Sequence, residues 1–152
     1  MVNKGETFDT TSRNFEKLRE SGIKSSVMII NGLGGLNYME QHAKNSARLI
    51  NIIQPEYLST LVLSFPFGLE HYKNRFGGDY LEMNIIELLR EQHLFVSGID
   101  AENIVFRSDH ASNYLSLKGI LSRDKNVMLA KLETAIKHPQ AAGLRPEWQR
   151  GL

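Results

Sequence analysis

Gly32, Gly34 and Gly35 end an apolar run in the stretch Ser25 to Gly35, SSVMIINGLGG. Glycine permits positive φ and lets a backbone approach a ligand closely, so this loop is a candidate binding turn. Asn37 is placed to cap the helix that follows, and Glu40, three residues on, to reach back as in a capping box. Free N–H groups at that helix start would then face the loop and could hold an anion or a cofactor. An ordinary strand-to-helix turn suits the same residues. A second concentration of reactive side chains lies in FRSDHASNYLSLKG, Phe106 to Gly119, which sets Arg107, Asp109, His110, Ser112 and Asn113 just behind a strand. Arg107 could hold a carboxylate or phosphate bidentately or pin the chain's own loops. His110 and Asn113 suit polar recognition or a hydrogen-bonded corner.

Other chemistries find little here. Asp109, His110 and Ser112 stand too close in sequence to assemble a hydrolytic triad by themselves, and no nucleophile elbow is present. His42, His71, His93, His110 and His138 lack HExxH or any other ligand spacing, and His93 and His138 read as structural. No cysteine occurs, which excludes disulfides, thiolate zinc sites, a cysteine nucleophile and any iron–sulfur cluster ligated by this chain itself.

The elements that position these residues follow from periodicity. Phe8, Phe15 and Leu18 share one face of a helix from about Thr7 to Ser21, which Gly22 terminates. Val27, Met28, Ile29 and Ile30 show no polar alternation, so the strand Ser25 to Asn31 reads as parallel and covered on both faces. Met39, Ala43, Ala47, Ile50 and Ile53 form the stripe of a helix from Tyr38 to Gln54, stopped by Pro55, and a strand Leu58 to Phe65 follows. Pro66 to Tyr80 lacks a period and reads as an extended loop crossing one end of the sheet, suited to a lid. A largely buried helix from Glu82 to Ser97 ends at Gly98, a short strand spans Asn103 to Arg107, and Ser122 caps a helix to about His138. Helices alternating with strands make an α/β fold.

With 152 residues, 41% of them hydrophobic, the chain is expected to form one domain with a real core. The net charge of +1 implies neither nucleic acid nor an anionic membrane as partner. Without a membrane-length apolar run or a signal-peptide core, a cytoplasmic location is expected.

Taken in order, the two polar tracts carry a family resemblance. Val2 to Thr7 (VNKGET), Ile30 to Gly35 (INGLGG) with His42 in its helix, Pro55 with the strand behind it, FRSDHASNYLSLKG, the helix opening at SRDK and the ending LRPEWQRGL resemble the carboxyl-terminal half of a radical SAM iron–sulfur protein. The resemblance implies a partial (β/α)6 barrel whose amino-terminal half carries CxxxCxxC and its [4Fe–4S] cluster. This chain would hold the last barrel units, with Ser25 to Asn31 and Leu58 to Phe65 similar to the fifth and sixth strands, and an extension from about residue 103 to 152. The family's fifth-strand pattern GxIxGxxE helps to enclose the adenine of S-adenosylmethionine. Ile30 and Gly32 match it, whereas Met28 stands for the first glycine and Gly35 for the glutamate. Ile30, Gly32, Gly34 and Gly35 are therefore the implied cofactor-side wall, with Arg107, His110 and Asn113 as substrate or loop-closing contacts. In the full-length enzyme, cluster and S-adenosylmethionine together would produce a 5′-deoxyadenosyl radical that abstracts hydrogen from a substrate the sequence does not identify.

On that reading the chain alone is inactive, Met1 is not where the natural protein begins, and the missing amino-terminal barrel half is its first partner. Removing that half would leave the strand Ser25 to Asn31 with an unpaired edge, so the isolated chain is expected to self-associate. Two alternatives stand beside it. One is a stand-alone α/β module that binds a phosphate-containing ligand through the glycine loop; the other is an interaction domain with no small-molecule site.

Overall fold

The computed structural model describes residues 5–151, so Val2 to Lys4 of the VNKGET stretch, with Met1 and Leu152, lie outside the described residues. The chain folds as an α/β structure with a four-stranded, mostly parallel sheet and five α-helices among those residues. Helix α1 (Phe8–Glu20) is capped by Thr7, whose side chain accepts from the Thr10 N–H, and leads into β1 (Ser26–Asn31). A single 3₁₀ turn then precedes α2 (Met39–Ile53), β2 (Tyr57–Val62), α3 (Leu69–Phe76), α4 (Ile85–Ser97), β3 (Val105–Ser108), β4 (Leu117–Ile120) and α5 (Leu121–Lys137).

Strands β1, β2 and β3 are parallel neighbours in that order, and β4 closes the far side antiparallel to β3. The register aligns Val27, Leu58, Phe106 and Gly119 in one row, and Met28, Ser59, Arg107 and Lys118 in the next. Successive side chains of a strand point to opposite faces, so these rows belong to opposite sides of the sheet. Leu58 and Phe106 are buried with Ala47, Ile50, Phe95, Val96, Met128 and Leu132 in one apolar cluster. Helices α2, α4 and α5 supply its other half. On the opposite side Met28 is 58% exposed, Tyr57 is 45% exposed, and Arg107 and Lys118 face solvent.

The strand Ser26–Asn31 is thus not covered on both faces. Its run of aliphatic residues hides an alternation in which Val27 and Ile29 pack on the core and Met28 stands out, and β1 is an edge strand. Residues 103–152 are no appendage, since β3 lies inside the sheet and Leu121, Met128, Leu132 and Ala135 of α5 share the main core.

Three local expectations are corrected and one strand is added. Asn37 does not cap α2: its side chain donates to the carbonyl of Asp79, and Glu40 pairs with Lys44 one turn on. The segment Pro66 to Tyr80 contains helix α3, bounded by Gly68 and Gly77, both at positive φ. Strand β4, a four-residue segment, had no sequence signal strong enough to mark it. Ser122 lies inside α5, and the first turn is closed instead by Asp124, whose carboxylate accepts from the Ile120 N–H at 2.8 Å. That bond and, more strongly, the adjacent Arg123 guanidinium hold the Asp124 pKa down at about 2.

Candidate functional site

The glycine loop is held from beneath by a buried carboxylate. Leu88, Glu91 and Phe95 of α4 fall at helical spacing on its core-facing stripe, which carries Glu91 to complete burial. One Glu91 oxygen accepts from the Gly32 N–H at 2.6 Å, and the other lies 2.8 Å from Nδ1 of His42 on α2. From above, the hydroxyl of Tyr80 donates to the carbonyl of Gly32 at 2.9 Å and that of Tyr72 to the carbonyl of Leu33 at 2.8 Å. Tyr72 and Tyr80 belong to an edge-on aromatic group with Phe65 and Phe76, ring centroids 4.9–6.0 Å apart, that fastens α3 over the loop. Burial raises the pKa of both phenols above the ordinary tyrosine value.

The glycines divide by what surrounds them. Gly32 and Gly35 have φ of +85° and +62°. A side chain at Gly32 would meet Leu88, and one at Gly35 would meet the Leu81 carbonyl at 2.7 Å and the Tyr80 ring at 2.9 Å. Their missing side chains therefore make room for the protein itself, not for a ligand. Gly34, whose φ is not positive, lines a cleft of about 750 Å³ bordered by α1, α2 and α3. His42, Tyr38, Tyr72, Phe76 and Arg48 share that cleft. Ile30 is elsewhere, in the row of side chains on the open sheet face. The implied cofactor wall is thus split between two sides of the molecule.

Much of the loop's capacity to hold an anion is already used. Gly32 N–H is committed to Glu91, Gly35 N–H to the Gly32 carbonyl and Leu36 N–H to the Leu81 carbonyl, and a buried carboxylate lies beneath.

The second tract forms a tightly bonded corner. Ser112 and Asn113 are buried; Ser112 Oγ accepts from the Val62 N–H at 3.3 Å, and Asn113 Nδ2 donates to the Thr60 carbonyl at 2.8 Å. His110 Nδ1 accepts from the Ser112 N–H at 3.1 Å, which folds the turn on itself. Arg107 stands apart on the exposed sheet face. The guanidiniums that pin the corner are Arg145, which donates to the carbonyls of His110, Ala111 and Asn113, and Arg150, which donates to that of Ser112. Arg150 also stacks on Tyr114, its carbon 4.0 Å from the ring centroid, and pairs with Glu147. Asn113 Oδ1 and Asn31 Nδ2 are buried without a partner among the described residues.

Of the seven implied site residues, then, Gly34 lines the cleft, Gly32 and Gly35 shape the loop, Ile30 and Arg107 lie on the open face, and His110 and Asn113 build the corner. Sequence reading missed Glu91, Tyr72, Tyr80, Arg145 and Arg150. For Glu91 there was a usable signal, since an acidic residue on the apolar stripe of a helix must have a buried partner. Neither family models, nor curated proteins, nor solved structures give a match to this chain.

Proposed function

We propose that this chain is the carboxyl-terminal part of a radical SAM-type barrel and supplies one wall of its S-adenosylmethionine and substrate pocket. What supports the reading is the one-sided sheet. Three parallel strands carry helices on one face, while the other face keeps the apolar side chains Met28, Ile30, Leu61 and Val105 incompletely covered. Barrel strands have this arrangement, with helices outside and an interior that the remaining strands must close. The antiparallel β4 would then be the place where the barrel stops.

The residues fit the two implied groups unequally. A cluster needs thiolates and this chain has no cysteine, so the missing amino-terminal half would have to ligate it. For S-adenosylmethionine, Ile30 and its neighbours on the open face offer an apolar wall, whereas Gly32 and Gly35 are filled by the protein's own side chains. The cofactor would supply hydrogen-abstraction chemistry, and this chain would position the substrate and exclude water. Isolated, the chain has a free β1 edge beside the open face and is proposed to pair with a second copy.

The test is the reading frame upstream of Val2. It should encode roughly another barrel half with CxxxCxxC, and the whole product, reconstituted anaerobically with iron and sulfide, should cleave S-adenosylmethionine. An Ile30→Asp substitution should weaken cofactor affinity in the folded holoenzyme. A frame that starts at Met1 and has no cysteine-bearing partner would overturn the proposal.

A further inference from the structure

Glu91 is the one charged side chain among the described residues that is fully buried. Taking a carboxylate out of water is costly, and a buried ion pair is a poor source of stability compared with apolar packing. If its only task were to accept from the Gly32 N–H, a neutral amide oxygen would serve. The charge acts elsewhere, on His42. Glu91 Oε1 lies 2.8 Å from His42 Nδ1, within the range of a charge-assisted bond, and so keeps the ring proton on that nitrogen. His42 Nε2 has no partner among the described residues, and the ring, with its side chain 20% exposed, lines the 750 Å³ cleft.

A histidine held at Nδ1 by a buried carboxylate, with Nε2 unpaired among the described residues and its side chain lining a cavity, has the geometry of a general acid–base group. We propose that His42 and Glu91 form a proton-transfer pair for a substrate bound in this cleft. The proton leaves an acidic O–H, N–H or C–H of the substrate and bonds to Nε2, and the electron pair remains on the substrate. The imidazolium so formed is stabilised by Glu91, and the reverse transfer restores it. No oxidant or further reactant is required.

The lining indicates the ligand class. Among the described residues, Tyr38, Tyr72 and Phe76 supply aromatic walls, Gln41 and Asn45 supply amide hydrogen bonds, and Arg48 supplies the one guanidinium, with no carboxylate in the lining. Among the described residues, the charged or titratable groups that line the cleft with His42 or bond to it are Glu91 from α4, Arg48 from its own helix, and the phenols of Tyr38 and of Tyr72 from α3. This set fits a planar aromatic acid whose anionic group pairs with Arg48. None of it depends on the barrel assignment, because His42, Glu91 and Arg48 all lie off the open face and the test uses neither cluster nor cofactor.

Diethyl pyrocarbonate acylates a histidine at an unprotonated, accessible nitrogen, and peptide mass mapping reads all five histidines of the chain at once. His42 should be modified about tenfold faster in the natural chain than in Glu91→Gln at the same pH, because a carboxylate can only accept the Nδ1 proton and so leaves Nε2 unprotonated, whereas an amide can also donate to Nδ1 and move the ring proton to Nε2. The exposed His71 should not change between the two and so serves as the internal standard. Benzoate should protect His42 saturably, and Arg48→Gln should abolish protection without slowing the unprotected reaction. An unreactive His42, or equal rates in a folded Glu91→Gln variant, would overturn the proton-transfer role; absence of benzoate protection would overturn the ligand class. Should Glu91→Gln fail to fold, imidazole nitrogen resonances of the natural chain decide the matter. A neutral ring protonated at Nδ1 supports the pair, and one protonated at Nε2 refutes it.

Discussion

The glycine loop and the corner at Ser108 to Asn113 look alike in composition, each a cluster of turn-forming and polar residues behind a strand, yet they are held in opposite ways. Gly32 is gripped by a buried carboxylate that also grips a histidine, and that histidine lines a cleft. The corner is gripped by guanidiniums that spend their donors on its carbonyls, and its own His110 spends Nδ1 on the Ser112 N–H. Both regions leave a polar atom over, but the loop's support leaves it on a histidine that lines a cleft, whereas the corner leaves Asn113 Oδ1 buried inside the protein. Polar residues behind a strand therefore announce a binding site only where an unspent group also borders a cavity.

The largest effect that could break this contrast is expected in the loop. Gly35→Val puts a branched side chain at φ +62°, against the Leu81 carbonyl and the Tyr80 ring. Strain and overpacking together should cost about 4 kcal/mol. Gly34→Ala sets its new atom 3.0 Å from Tyr38 Cβ and 3.4 Å from the Tyr38 carbonyl, so that backbone must give by a few tenths of an ångström, and should cost about 1 kcal/mol. Urea denaturation of both variants measures the difference. Equal losses would mean that the loop is not shaped by its own packing.

In the corner, Arg145→Ala removes the donor shared by the carbonyls of His110, Ala111 and Asn113, at 2.9, 3.1 and 2.6 Å. Loss of charge-assisted bonds there should cost about 2 kcal/mol. Faster hydrogen exchange should appear at Ser112 and Asn113 while the glycine loop remains protected. If exchange rises equally in both places, the two regions are one cooperative unit and the contrast fails.

Alkaline pH probes both regions together. Tyr80 and Tyr114 have pKa values raised above the free tyrosine value of about 10, Tyr114 to about 12, chiefly through burial. Between about pH 10 and pH 12 the unfolded phenols release protons that the folded ones retain. The folded state then binds more protons, and stability, fully present below the unfolded pKa, falls as pH rises through the folded one. Melting temperature should drop across this window. Tyr80→Phe should flatten the decline and cost about 1 kcal/mol at neutral pH through the lost bond to Gly32.

Helix positions were legible in the sequence because their signals are local. The stripe Ala43, Ala47, Ile50 and Ile53 and the stops at Pro55 and Gly98 each act within a turn or two, and α2 and α4 lie where these signals put them. What could not be read depends on partners distant in the chain. Four consecutive aliphatic residues at Val27 to Ile30 conceal which of them face solvent, and only the register with β2 and β3 decides it. Helix α3 carries Leu69, Tyr72 and Phe76 at i, i+3 and i+7, but eight residues between glycines give too short a stripe to stand out from a loop, and the helix is fixed by ring contacts and by the Tyr72 hydroxyl. The pairing of Glu91 with His42 spans 49 positions, and the grip of Arg145 on His110 spans 35. The glycines were recognised correctly as special, but their neighbours Leu88, Tyr80 and Leu81 determine why.

The smallest expected change in stability carries the most information about the open face. Met28 is 58% exposed on edge strand β1, in a row with Ser59, Arg107 and Lys118. Met28→Lys removes no core contact, so the folding free energy should change by no more than about 0.5 kcal/mol. A lysine on an edge strand opposes pairing with another chain, and here it would also add charge to a row that already holds two cations. The natural chain should therefore sediment as a dimer whose weight falls on dilution, and Met28→Lys as a monomer at every concentration. Should the natural chain be monomeric throughout, the open face would have no affinity for a second copy. The one-sided sheet would then have to be understood as a finished surface instead of the exposed interior of a barrel. Dimerisation that survives Met28→Lys would move the contact away from this face, and the glycine-loop cleft, on the other side of β1, would be the next place to look for it.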